Sequence, residues 1–273
     1  MYQIEKFINL PKHQSLVDRA TSVLIGDSRV KAIYLGGSQK ADEYSDVDLI
    51  IWCDNEEDRE GMKKDRLKIA KQVGNIKSES ISGFPYVYVV FYEQEEIKVD
   101  YCFNILPVEN RPDRAHIDIL YDPEGLLEKM VKESWELQWE INLDELKNKI
   151  QHYYIGISYT VGKILRGELW DAFDCIEFYR KYLIEFEDIL AQRKRENYRR
   201  VEEKLNQKRL EILNKTIVSE LTKTELFRAM DFIFVYFDNF IKERIQVLDI
   251  YPDVYSKNMK EYYERQKALV NSN

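Results

Sequence analysis

The sequence predicts an α+β protein, with a sheet and flanking helices over residues 1–125 and an all-helical bundle over 126–273. Three observations predict it. Short, β-rich apolar runs alternate with helix-period segments as far as about residue 122, and after that apolar residues recur in steps of three and four. The chain has 273 residues and is 44% hydrophobic with 4 Trp, 19 Tyr and 12 Phe, ample for one large or two modest cores. No internal repeat or low-complexity linker interrupts it, so the composition shift near residue 125 marks the domain boundary.

Composition also excludes classes of function. A formal net charge of −8 leaves no broad basic footprint for nucleic acid. The three cysteines, Cys53, Cys102 and Cys175, are far apart in apolar runs with no CxxC pair, which predicts buried free thiols rather than a zinc site or a disulfide framework. No run of about 18 apolar residues occurs, which predicts no membrane span. MYQIEKFINLPKH has no apolar signal core, so a reducing, cytoplasmic setting is expected.

In chain order, Pro11–Gly26 reads as a helix, with Leu16, Val17, Ala20, Val23 and Leu24 at helical spacing. Val30–Leu35 is a buried strand that stops at Gly36-Gly37-Ser38, and Val47–Cys53 is a second. Glu56–Val73 is a charged helix ending at Gly74. Pro85–Tyr92 and Ile97–Phe103 form a hairpin across a polar turn at 93–96, and His116–Asp122 is a short last strand segment. The helical half comprises Leu143–Leu165 ended by Arg166-Gly167, Trp170–Leu190, Leu210–Val218, Thr224–Leu248 and Val254–Leu269, with Thr222 or Thr224 as a cap for the long one. The charge run over 192–207 reads as a solvated extension or loop.

The chemistry concentrates at Asp46 and Asp48. Residues i and i+2 of a strand share a face, so the two carboxylates lie side by side near one strand end, facing the Gly37-Ser38 loop. Like charges that close repel unless a cation sits between them, and Mg2+, which prefers carboxylate and phosphate oxygens, is the natural one. Alternation in 97–103 puts Lys98, Asp100 and Cys102 on one face. An ionisable residue in mid-strand costs desolvation unless it is paired or bound, which singles out Asp100, with Lys98 within reach of it. His13, His116 and His152 have no metal-ligand spacing and read as structural.

A G-S turn, a short loop and D-x-D at the head of an apolar strand resemble the nucleotidyltransferase superfamily, which includes DNA polymerase β and the aminoglycoside and lincosamide antibiotic nucleotidyltransferases. The matching residues are Gly37, Ser38, Asp46 and Asp48, with Asp100 in the place of the later third acid, and IDILYDPEG resembles the closing strand and turn of such domains. The loop, QKADEYS, is shorter than usual, with Lys40 in place of the usual Arg.

The resemblance implies a mixed sheet carrying Asp46, Asp48 and Asp100 as catalytic and metal-holding residues. It implies a nucleotide site at Gly37, Ser38 and Lys40, with Ser38 donating to a phosphate at the start of a short helix. The implied activity is transfer of a nucleoside monophosphate, AMP from ATP with Mg2+, to a hydroxyl of a small antibiotic-like acceptor, releasing pyrophosphate. The helical half of such enzymes lines the acceptor pocket, which makes Glu168, Trp170 and Asp171 acceptor-contact candidates. Some domains of this plan complete their site across a partner, so a homodimer is among the expectations. Two alternatives stand beside this: the same chemistry on a protein or RNA acceptor, against which the acidic balance argues for RNA, and a non-catalytic nucleotide-binding or toxin-neutralising module of the same fold.

Overall fold

The computed structural model describes residues 5–37 and 40–271, and its contacts divide the chain after Gln138 into two compact units. The first unit runs α1 (Pro11–Leu24), β1 (Val30–Leu35), β2 (Val47–Cys53), α2 (Glu56–Val73), β3 (Ile76–Ile81), β4 (Val87–Tyr92), β5 (Ile97–Ile105), β6 (Asp118–Tyr121) and α3 (Leu126–Ser134). Its six strands form one mixed sheet in the order β3-β4-β5-β2-β1-β6. Among the described residues, only β2 and β5 pair in parallel; every other neighbouring pair is antiparallel.

Period-2 alternation explains the layers. Ile33, Leu35, Leu49, Ile51, Val99, Tyr101 and Phe103 join Leu16, Val17 and Ala20 of α1 and Met62, Ile69 and Ala70 of α2 in one core. The intervening residues Ala32, Tyr34 and Trp52 take the other face and pack with Leu127 and Met130 of α3. Asp48 shares that second face with Ile50 and Trp52. Helix α3 is fastened by Asp122, whose buried carboxylate accepts from the backbone N–H groups of Leu126, Leu127 and Glu128 at 2.8, 2.8 and 2.9 Å. The composition changes at 125/126, but this apolar face of α3 keeps the contacts of the first unit running to Gln138.

The second unit is helical: α4 (Leu143–Arg166), α5 (Leu169–Leu190), α6 (Val201–Lys204), α7 (Gln207–Lys215), α8 (Lys223–Phe240), α9 (Lys242–Val247) and α10 (Asp253–Asn271). Leu146, Ile150, Tyr153, Ile157 and Val161 of α4 interlock with Ile176, Leu183 and Phe186 of α5 and Met230, Ile233 and Phe237 of α8. Thr222 caps α8, its hydroxyl accepting from Glu225 N at 3.2 Å. Among the described residues, no helix is long and apolar enough to cross a membrane.

The structure departs from the sequence pattern in several places. Strand β3 was not anticipated: IKSESI is almost wholly exposed, and what makes it a strand is pairing with β4, not a buried face. The helix expected over 224–248 is two, α8 and α9, meeting at the buried Ile241. The charge run after α5 is turns and the one-turn α6, and it is not simply solvated, because Arg193 and Lys204 fold back on the fully buried Asp188. Of the three thiols only Cys53 is buried; Cys102 and Cys175 are half-buried.

Candidate metal and phosphate site

The site is built where β2 and β5 run in parallel. Their register pairs Val47 with Val99 and Asp48 with Asp100. Asp46 precedes Val47 as Lys98 precedes Val99, so two cross-strand pairs, 46/98 and 48/100, stand on one face. Each of the three acids offers an oxygen within 4.8 Å of the other two. At that spacing each pair of charges repels by on the order of 3 kcal/mol at an effective dielectric of about 20, before solvent screening.

The turn and loop are fixed locally. Gly36 N donates to Asp48 O at 2.9 Å, closing the β1–β2 ladder beside the acids. Gly37 has φ +77, and a Cβ there would lie 2.4 Å from Asp48 Oδ2, so both conformation and space demand glycine. Ser38 lies outside the described residues. Lys40 is exposed on the loop. Among the described residues 40–46 there is no phosphate-facing helix; the segment is a turn held by Asp42, whose Oδ1 accepts from Tyr44 N and Ser45 Oγ, each at 3.0 Å. The His13 ring nitrogen Nε2 sits 2.9 Å from Ser45 O and moors this turn to α1.

Two lysines supply the positive charge. Lys98 Nζ lies 2.8 Å from Asp46 Oδ2 and 3.1 Å from Asp100 Oδ2. Lys6 is buried; its Nζ donates to Gly36 O at 2.6 Å and its backbone N–H to the Asp118 carboxylate at 2.7 Å. Lys6 was missed in the sequence, where it belongs to no motif; only folding brings it under the glycine turn.

These neighbours push the acids apart. Burial first, then the charge of Asp46, raises the Asp48 carboxyl above its ordinary range, and Lys6 offsets only part of this. Burial pushes Asp46 the same way, but the hydrogen bond and charge of Lys98 outweigh it and Asp46 ends below its ordinary range. Cys102 follows Asp100 on the same face; burial, then the charges of Asp48 and Asp100, pushes its thiol up to about 12, so it adds no negative charge.

The donor set fits a hard divalent cation. All three ligands are carboxylates, and Asp100 Oδ1 is a buried oxygen without any hydrogen-bond partner, although the side chain as a whole is 18% exposed. An unsatisfied carboxylate oxygen beside an acid of raised pKa is a deficit of positive charge that the two lysines do not fill.

The acceptor candidates form a separate cluster in the helical unit. Lys163 lies 2.5 Å from both Glu168 and Asp171, Arg166 also pairs with Glu168, and the Trp170 indole is 77% exposed. Their acidity is therefore largely offset within the cluster.

No protein-family model matches the chain, and no curated protein sequence is significantly similar to it.

Proposed function

We propose that the chain is a Mg2+-dependent nucleotidyltransferase that moves a nucleoside monophosphate, AMP from ATP, to a hydroxyl of a small acceptor of the aminoglycoside type. The observation that carries this reading is the triad: Asp46, Asp48 and Asp100 within 4.8 Å on neighbouring parallel strands, with one Asp100 oxygen buried and unpartnered. These three residues would hold the cation. When bound, it would supply charge neutralisation at the triphosphate oxygens.

The chain's own residues do the rest. Gly37 brings the turn against Asp48, where any side chain would collide with a carboxylate that would hold the cation. Asp100 takes the proton as the acceptor oxygen bonds to the α-phosphorus and the bond to the β-phosphate oxygen breaks, releasing pyrophosphate. Of the proposed acceptor contacts Glu168, Trp170 and Asp171, the open Trp170 indole face suits a cationic sugar, while Lys163 and Arg166 already pair with the two acids.

The test is a thermal-shift titration with ATP and Mg2+ on wild type and on D46N/D48N, followed by labelled ATP with a panel of aminoglycosides. A ligand that binds only the native state raises apparent stability by mass action. Stabilisation of wild type that needs metal and ATP together, absent in the double variant, supports the reading; no stabilisation of wild type by any nucleoside triphosphate overturns it.

One observation favours a second reading, a nucleotide-binding module without turnover: Lys98 already bridges two of the three acids. Calorimetry with ATP, with and without Mg2+, separates them, since that module binds without metal and releases no pyrophosphate.

A further inference from the structure

Lys98 stands where a cation is wanted. Its ammonium, 2.8 Å from Asp46 and 3.1 Å from Asp100, occupies one oxygen of each of two triad acids. The β2–β5 register puts it there, because the residue one step before the 47/99 pair on β5 must face Asp46. The side chain is 41% exposed. Lysine carries a compact point charge on a flexible four-carbon stem, unlike the rigid fork of arginine.

A divalent ion held by one oxygen from each acid would sit within a few ångströms of that ammonium and repel it. The Asp48 carboxylate, only partly offset by Lys6, and the unpartnered Asp100 Oδ1 remain for the ion while the lysine is in place. An ammonium displaced by the ion stays tethered a few ångströms away. There it is repelled by the metal and attracted to whatever polyanion the metal holds.

We propose that Lys98 is a placeholder for the divalent cation: it neutralises Asp46 and Asp100 in the metal-free protein, gives way when the cation enters, and then contacts the phosphate chain of the metal-bound nucleotide. The inference rests on the nucleotidyltransferase reading of the triad. It makes Lys98 a positioning residue with two effects of opposite sign, which a merely structural lysine would not have.

The experiment uses the full chain and four proteins: wild type, Lys98→Met, Lys98→Arg and Asp48→Asn. Free Mn2+ is followed by electron paramagnetic resonance, and binding of ATP with Mg2+ by calorimetry. Lys98→Met is expected to bind Mn2+ about tenfold tighter than wild type, and the magnesium–ATP complex about tenfold weaker. Lys98→Arg keeps the charge and restores nucleotide affinity. Mn2+ affinity unchanged or weakened in Lys98→Met, with wild type binding the ion and Asp48→Asn not, overturns the placeholder and leaves the metal site standing. Nucleotide affinity unchanged overturns the phosphate contact. Absence of Mn2+ binding in wild type and Lys98→Met alike overturns the inference together with the reading beneath it. Lys98→Gln takes the same measurements if Lys98→Met does not fold.

Discussion

Two clusters of acids, one in each unit, are treated in opposite ways. In the helical unit, Glu187 and Asp188 at the end of α5 are almost wholly buried, and every carboxylate oxygen is supplied. Glu187 accepts from Arg209 Nε at 2.8 Å, Tyr236 OH at 3.1 Å and Arg244 Nη1 at 2.7 Å. Asp188 accepts from Arg193 Nε at 2.9 Å and Glu196 N at 3.3 Å, with Lys204 Nζ 3.5 Å away. In the sheet unit, three acids share Lys98, borrow the field of Lys6, and leave Asp100 Oδ1 bare. Burial alone does not separate structural acids from functional ones; the better-buried pair is the one complete within the protein. What marks a binding site is charge that the fold gathers and does not neutralise.

The contrast makes quantitative predictions. The largest effect belongs to the saturated pair. Glu187→Ala strands Arg209, Arg244 and the Tyr236 hydroxyl and is expected to cost about 3 kcal/mol, read by calorimetric unfolding, with metal binding of the folded protein unchanged. A cost under about 0.5 kcal/mol, the range of an ordinary surface change, would mean that this network is no structural staple.

Next comes the turn. Gly37→Ala must hold φ near +77 and seat a methyl 2.4 Å from Asp48 Oδ2. It should lose about 2 kcal/mol in urea unfolding, and the ATP-dependent stabilisation with it. Full retention of that stabilisation would move the phosphate chain away from this turn.

The smallest effect has the opposite sign. Asp48→Asn is expected to stabilise the metal-free protein at pH 7 by on the order of 1 kcal/mol, while abolishing stabilisation by divalent ions. The sign follows from the raised carboxyl: its cost is present above the folded pKa and vanishes below the unfolded value of 3.8, where both states are protonated. The gain should therefore fade as pH drops toward that value. A variant less stable than wild type at pH 7 would show Asp48 to be a satisfied structural acid like Asp188.

Much of this was legible along the chain because it depends on near neighbours. The apolar runs 30–35 and 47–53 gave β1 and β2 with the bounds they have, since a short β-rich segment between Gly, Ser and charged residues has few other options. Asp46 and Asp48 announced themselves as i, i+2 acids at a strand end, and Lys98 and Asp100 did so by alternation. The stripes of α4 and α5 and the Thr222 cap are equally local.

What local pattern could not carry was pairing. Strand β3 has no apolar face to reveal it and exists because β4 offers backbone groups to pair with. No Gly or Pro marks the break at Ile241. The charge run reads as solvated until Arg193 and Lys204 meet the buried Asp188. The triad itself depends on the parallel register of β2 and β5, which brings residues 48 and 100 opposite each other, and on Lys6 arriving from the first turn of the chain. Strand register and long-range ion pairs are set by which backbone edges and which charges remain unsatisfied once the elements pack, a quantity that exists only in the folded molecule.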